Sequence, residues 1–138
     1  MSKSADPLAE LFAAAKAAQA NAYAPYSKFR VGAALRTPDG AIYSGGNVEN
    51  ASYPEGVCAE TSAISAMAQA GERRIAEICV IADGEALCTP CGGCRQRIRE
   101  FADDRTIIHV AGPEGVRATY RLAALLPESF GPGHLGKK

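Results

Sequence analysis

Apolar residues recur at helical spacing near the start of the chain. In PLAELFAAAKAAQANAYA, Leu8, Leu11, Phe12 and Ala15 share one face, and Asp6 before Pro7 supplies an N-cap and a first turn. The pattern predicts a helix over residues 7–21. APYSKF then carries a proline turn, and RVGAALRT, a PDG turn and AIYSGGNVE read as two strands of a hairpin. In CAETSAISAMAQAG, helical spacing returns through Ala59, Ala63, Ala66, Met67 and Ala70 and meets a glycine stop, so a helix is expected to begin close to Cys58. IAEICVIAD is a short apolar run bounded by polar residues, the mark of a buried strand, and CGGCRQRIREFA is its companion helix. TIIHVAG and the weaker GVRATYR add two strands, and LAALLPESFGPGHLGKK gives a short helical turn and a Pro/Gly-rich tail. Interleaved strands and helices predict an α/β sandwich centred on one sheet.

Composition narrows the function classes. With 138 residues, 47% of them hydrophobic, the chain matches one ordinary domain that can bury a real core. Fifteen basic residues balance fifteen acidic ones, so no overall field recommends nucleic acid or an anionic membrane as partner. The stretch MSKSADPLAE lacks an apolar export segment, and no run approaches a bilayer span, so a cytoplasmic location is expected. In that reducing compartment five cysteines, an odd number, point to metal binding or chemistry before disulfides.

Three of the five lie in LCTPCGGCRQ. Cys91 and Cys94 have C-x-x-C spacing, which serves redox chemistry or metal binding, but a redox pair usually follows the first strand of a βαβ unit and this one follows the third predicted strand. A structural zinc needs four protein ligands, and Cys58, Cys79, Cys88, His109 and His134 are the available completions. Cys79 reads as a small buried hydrophobe, His109 as a strand residue with a local hydrogen bond, and His134 lies in the loose tail. Cys88 is the serious competitor. Cys58 carries a different message, because VCAETSA places Glu60 two residues after it at the mouth of a helix. If Cys58, Cys91 and Cys94 hold zinc with the fourth position open, the metal activates a water and a carboxylate that is not a ligand can shuttle its proton. An acidic residue is also common in the first turn of any helix.

The pairing of CAE with PCGGC is the pattern of the zinc deaminases. Together with PYSKFRVGAAL, GGNVENASYPEGVCAE and LLPESFGP, it closely resembles the small, single-domain, homotetrameric cytidine deaminases. The resemblance implies a three-layer α/β/α sandwich with a mixed five-stranded sheet, in one domain over residues 1–138 whose tail, about 127–138, reaches a neighbouring subunit. It implies one zinc per subunit on Cys58, Cys91 and Cys94, Glu60 as general acid and base, and hydrolysis of cytidine and 2′-deoxycytidine to uridine and 2′-deoxyuridine with release of ammonia, in pyrimidine salvage. Asn47 and Glu49 would clamp the ribose, Phe29 would pack beside the base, the Ala59 N–H would bind the 2-oxo group, and the Thr89 carbonyl could meet the leaving amine. Ala51, Tyr53 and Phe130 would serve neighbouring subunits. The chain departs from the family where Thr61 stands in place of a frequent arginine that donates to the zinc thiolates, and Arg95 is the expected compensation. Alternative readings are an aminonucleoside deaminase of the blasticidin S type and a non-catalytic zinc-stabilised module. A nucleic-acid-editing deaminase lacks support, since no basic patch with interleaved aromatics occurs.

Overall fold

Asp6 opens the first helix as its spacing predicts: its carboxylate accepts from the Leu8 N–H at 3.2 Å, and Pro7 occupies the first turn, where its missing N–H is no loss. The computed structural model describes residues 6–137, so the outermost residues of the expected 1–138 domain, 1–5 and 138, lie outside the described residues. Helix α1 (Pro7–Ala20) buries Leu11, Ala15 and Gln19, while Leu8 and Phe12 are only half-buried. The remaining elements are β1 (Val31–Arg36), β2 (Ile42–Gly46), α2 (Ala59–Gln69), β3 (Glu77–Ala82), α3 (Gly92–Glu100), β4 (Ile107–Gly112), β5 (Gly115–Arg121) and the single turn α4 (Leu122–Leu125).

The strands form one five-stranded sheet in the order β2-β1-β3-β4-β5. Only β3 and β4 run parallel, and a parallel pair needs a crossover, which α3 supplies between them; the other neighbours are antiparallel. Alternation along the strands divides the core in two. Ala33, Leu35, Ile78, Val80, Ile108 and Val110 pack with Ala63, Met67 and Ile98 of α2 and α3 on one face. Ala34, Cys79, Ile81 and Ala111 pack with Leu11 and Ala15 of α1 on the other. Both faces of β3 and β4 are therefore covered, which is why ICVIA of β3 reads as a continuous apolar run without alternation. The mixed sheet between helical layers is the expected α/β/α sandwich.

Two glycines let the helices approach the sheet. A Cβ on Gly32 would lie 2.1 Å from the Ala15 carbonyl oxygen of α1, and one on Gly45 would lie 2.4 Å from Ser62 Cβ of α2. Helix α2 ends as its glycine predicts: Gly71, at φ +93°, donates to the Ala68 carbonyl at 3.0 Å and Glu72 to the Met67 carbonyl at 3.2 Å, a Schellman arrangement. The face it buries differs from the expected one. Ala59, Ala63 and Met67 are buried, but Ile64 takes the inward position and Ala66 and Ala70 are exposed. A run so rich in alanine allows two apolar stripes, and the larger side chains decide between them. No described helix is long and apolar enough to cross a membrane.

Candidate metal centre and adjoining cleft

Helices α2 and α3 each begin at a cysteine. Cys58 and Cys91 hold extended N-cap conformations, and neither side chain makes a capping hydrogen bond. Cys94 follows in the first turn of α3, fully buried. The three Sγ atoms lie within 4.8 Å of one another, with Cys58 and Cys91 at 3.9 Å. Zinc–sulfur bonds of about 2.3 Å at tetrahedral angles separate sulfurs by about 3.8 Å, so the cluster has the dimensions and the soft donors for zinc. The N-termini of α2 and α3 aim their partial positive charge at it. Two side chains also reach Cys94 Sγ: Thr61 Oγ1 at 3.7 Å and Arg97 Nη1, which donates at 3.7 Å.

Glu60, the second residue of α2, is 4% exposed beside these sulfurs. Burial pushes its carboxyl above the ordinary value, against the downward pull of its own backbone N–H, then the Cys94 thiol, then the Arg97 charge. Burial likewise raises the Cys94 thiol, with the Glu60 charge adding to it. Cys91 is shifted down despite some burial, because the Cys94 backbone N–H and the neighbouring thiols stabilise its thiolate. A cation among the three sulfurs reverses the balance for all of them.

Cys58 and Cys91 of the centre line a cleft of about 410 Å³, together with Phe29, Asn47, Glu49, Tyr53, Ala59, Glu60, Cys88 and Thr89. A second hollow of about 330 Å³ adjoins it, lined by Tyr26, Ser27, Glu49, Asn50, Tyr53 and Gly56. Asn47 and Glu49 lie just beyond the end of β2, where Val48 bridges to both Tyr23 and Val57. Asn47 Oδ1 accepts from the Val31 N–H at 2.9 Å and its Nδ2 donates to the Phe29 carbonyl at 3.0 Å, so this amide sets the entry to β1 and presents Phe29. Glu49 accepts from the Tyr26 and Ser27 N–H groups at 3.0 and 3.1 Å and from the Ser27 hydroxyl. That hydroxyl, then the Ser27 N–H, holds the carboxyl below its ordinary value.

Sequence reading and structure meet unevenly around this cleft. Phe29, Asn47, Glu49, Ala59 and Glu60 line the cleft with Cys58 and Cys91, and Cys94 lies buried behind them within the three-sulfur cluster. Tyr53 is 78% exposed and lines both the cleft and the hollow. Phe130 is exposed, stacked on His134 with ring centroids 4.8 Å apart, and its carbonyl accepts from Gln96 Nε2 at 2.9 Å. Ala51 is exposed. Cys88 borders the cleft outside the three-sulfur cluster. Cys79 is core, its thiol pushed up to about 12 by burial, and His109 bonds Thr119 Oγ1 and Glu77 Oε1 at 3.0 and 2.9 Å, as a strand residue with local partners should.

Arg95 does not compensate for Thr61. Its guanidinium donates to the Pro90 carbonyl at 2.7 Å, the Leu125 carbonyl at 2.7 Å and Thr89 Oγ1 at 2.9 Å, and so ties the loop before Cys91 to α4. The cation that meets the sulfurs is Arg97, which the sequence reading missed. Its signal was available, since a residue three after Cys94 on a helix shares its face.

The fold and this centre define a zinc-type metalloprotein with a carboxylate and a cleft beside three thiolate donors. Residues 6–110 match the family model described as the cytidine and deoxycytidylate deaminase zinc-binding region, and the chain belongs to that family. It is similar to the cytidine deaminase of Sporosarcina psychrophila, 41% identical over 121 residues that cover 88% of this chain and 89% of that one. It is similar also to the cytidine deaminase of Mycobacterium tuberculosis, 42% identical over 116 residues covering 83% and 82%. The crystal structure of cytidine deaminase from Burkholderia pseudomallei superposes with a TM-score of 0.83 at 42% identity, covering 88% of this chain and 98% of that one.

Proposed function

We propose that the protein is a zinc-dependent hydrolase that deaminates cytidine and 2′-deoxycytidine to uridine and 2′-deoxyuridine, releasing ammonia, in cytoplasmic pyrimidine salvage. The observation that carries this reading is the burial of Glu60 at the three-sulfur centre, where it lines a cleft that can take a nucleoside. A cleft of about 410 Å³ falls in the range for small-molecule sites.

Cys58, Cys91 and Cys94 would hold the zinc, which when bound supplies Lewis-acid activation of water. Glu60 takes a proton from the attacking water and delivers it to N3 of the pyrimidine while C4 is attacked. It then carries the second proton to the departing amino nitrogen, so one water is consumed and ammonia leaves. A raised carboxyl suits a group that must both accept and return a proton. The Ala59 N–H, at the start of α2, has no partner within its helix and would bind the 2-oxo group, and the Thr89 carbonyl would accept from the amino group. Phe29 stacks or packs beside the base. Glu49 and Asn47 receive the ribose with the capacity left over from their bonds to segment 26–31.

Exposed Tyr53, Phe130 and Ala51 favour a homotetramer in which the tail of about 127–138 completes a neighbouring cleft, with the chain folding as one domain. Incubation with cytidine, 2′-deoxycytidine, cytosine and blasticidin S, followed by pyrimidine absorbance, tests the substrate. Turnover of the two nucleosides and not of cytosine is expected. Turnover of blasticidin S alone would replace the substrate while keeping the centre. Phe130→Ala should raise KM, and an active monomer in gel filtration would remove the cross-subunit role.

A further inference from the structure

Three thiolates around a divalent zinc leave one net negative charge to be offset. Cys94 bears the hardest part of it, being fully buried where Cys58 is half-buried and Cys91 exposed, so it has the least water to solvate its sulfur. The arginines of α3 divide their contacts. Arg95 is fully engaged with Pro90, Leu125 and Thr89. Arg99 donates to Ser129 Oγ and to the Ala102 carbonyl. Arg97 Nη1 donates to Cys94 Sγ. Its guanidinium folds back over Gly93, where a Cβ would stand 3.3 Å from Nη1, tighter than an ordinary contact. The backbone at Gly93 has no positive φ that requires glycine, so the open space above it is what the missing side chain provides. Thr61, the other side chain on this sulfur, brings a hydroxyl without charge.

We infer that Arg97 is the cation that offsets the negative charge of the three-thiolate centre and thereby sets how tightly zinc is held and how strongly Cys94 donates to it. The inference rests on the zinc reading of the cluster. Arg97 is a positioning residue, since it acts on a ligand and not on the substrate. Binding of zinc leaves negative charge on the centre, and an adjacent cation favours that state. A charged donor on the thiolate also draws electron density from sulfur, which leaves the metal more electron-poor.

The test compares the whole protein with Arg97→Gln, Arg97→Lys and Cys94→Ser, by chelator competition for zinc and by absorption of the cobalt(II)-substituted forms. Arg97→Gln should weaken zinc by about tenfold, the scale left to a partly screened cation beside a thiolate. It should also move the sulfur-to-cobalt charge-transfer band to longer wavelength, a signature that loss of a merely structural arginine would not produce. Arg97→Lys should recover both. Equal affinity and an unmoved band in Arg97→Gln, or a lysine variant as weak as the glutamine one, would overturn the inference, as would a change in only one readout. Cys94→Ser separates the two levels: if it binds zinc as tightly as the unaltered protein, the zinc reading itself fails.

Discussion

Arg95→Ala should unfasten the loop that carries Cys91 without touching a ligand. The guanidinium makes three donations, at 2.7, 2.7 and 2.9 Å, joining Pro90 and Thr89 of the loop to Leu125 at the end of α4. Arg95 is half-buried, so each bond is taken at the neutral value of about 1 kcal/mol in place of the larger charge-assisted one. The sum is a loss of about 3 kcal/mol. For a chain of this length, a loss of that size lowers Tm by about 10 °C. The assay is thermal unfolding of zinc-loaded protein at matched concentration, since binding of metal and of other copies raises apparent stability. Arg97→Gln serves as the contrast: it lies two residues away on the same helix and should shift Tm much less while changing zinc affinity more. A Tm change under about 2 °C for Arg95→Ala would show that the loop is held by other contacts and that the structural role assigned to Arg95 is wrong.

Serine in place of Cys58, Cys91 or Cys94 should each abolish zinc retention after dialysis, read as metal per chain, whereas Cys88→Ser should leave it intact; equal loss at Cys88 would redraw the centre. Gly45→Ala drives a Cβ into Ser62 and should cost about 1–3 kcal/mol by overpacking, with loss of turnover as α2 and Glu60 shift. A stable, fully active variant would mean that the β2–α2 contact is softer than the 2.4 Å approach implies. Glu49 has a folded pKa below its ordinary 4.5, so its stabilising contribution is complete above that value and is lost as pH falls through the folded one. Urea midpoints followed down from neutral pH should therefore drop more steeply below about pH 4.5 for the unaltered protein than for Glu49→Gln. Parallel curves would exclude this carboxylate from the acid response.

Much of the fold was legible because its signals are local. Asp6-Pro7 and the glycine at position 71 each write a helix boundary into a few residues, and β3 announces its burial by a short apolar run. The buried stripe of α2 was less legible, because an alanine-rich helix leaves the choice of face to tertiary packing, which placed Ile64 inward and Ala66 outward. At the centre, spacing made Cys91 and Cys94 legible as a pair, while Cys58 was set apart from Cys88 only by the resemblance of CAE and PCGGC to the zinc deaminases; the structure brings the three sulfurs together. The assignment of charge compensation was not legible. Adjacency in sequence favoured Arg95, but neighbours on a helix point about 100° apart, which turns Arg95 toward α4 and leaves the position three residues after Cys94 over the sulfur.

The most direct test of the account is Glu60→Gln, assayed for zinc content and for cytidine turnover on the same preparation. The glutamine keeps the shape of the side chain and cannot take the water proton, so zinc should remain at one per chain while turnover falls at least about a hundredfold. A variant that keeps both zinc and turnover would contradict the account, because it would leave the buried carboxylate without a part in the chemistry.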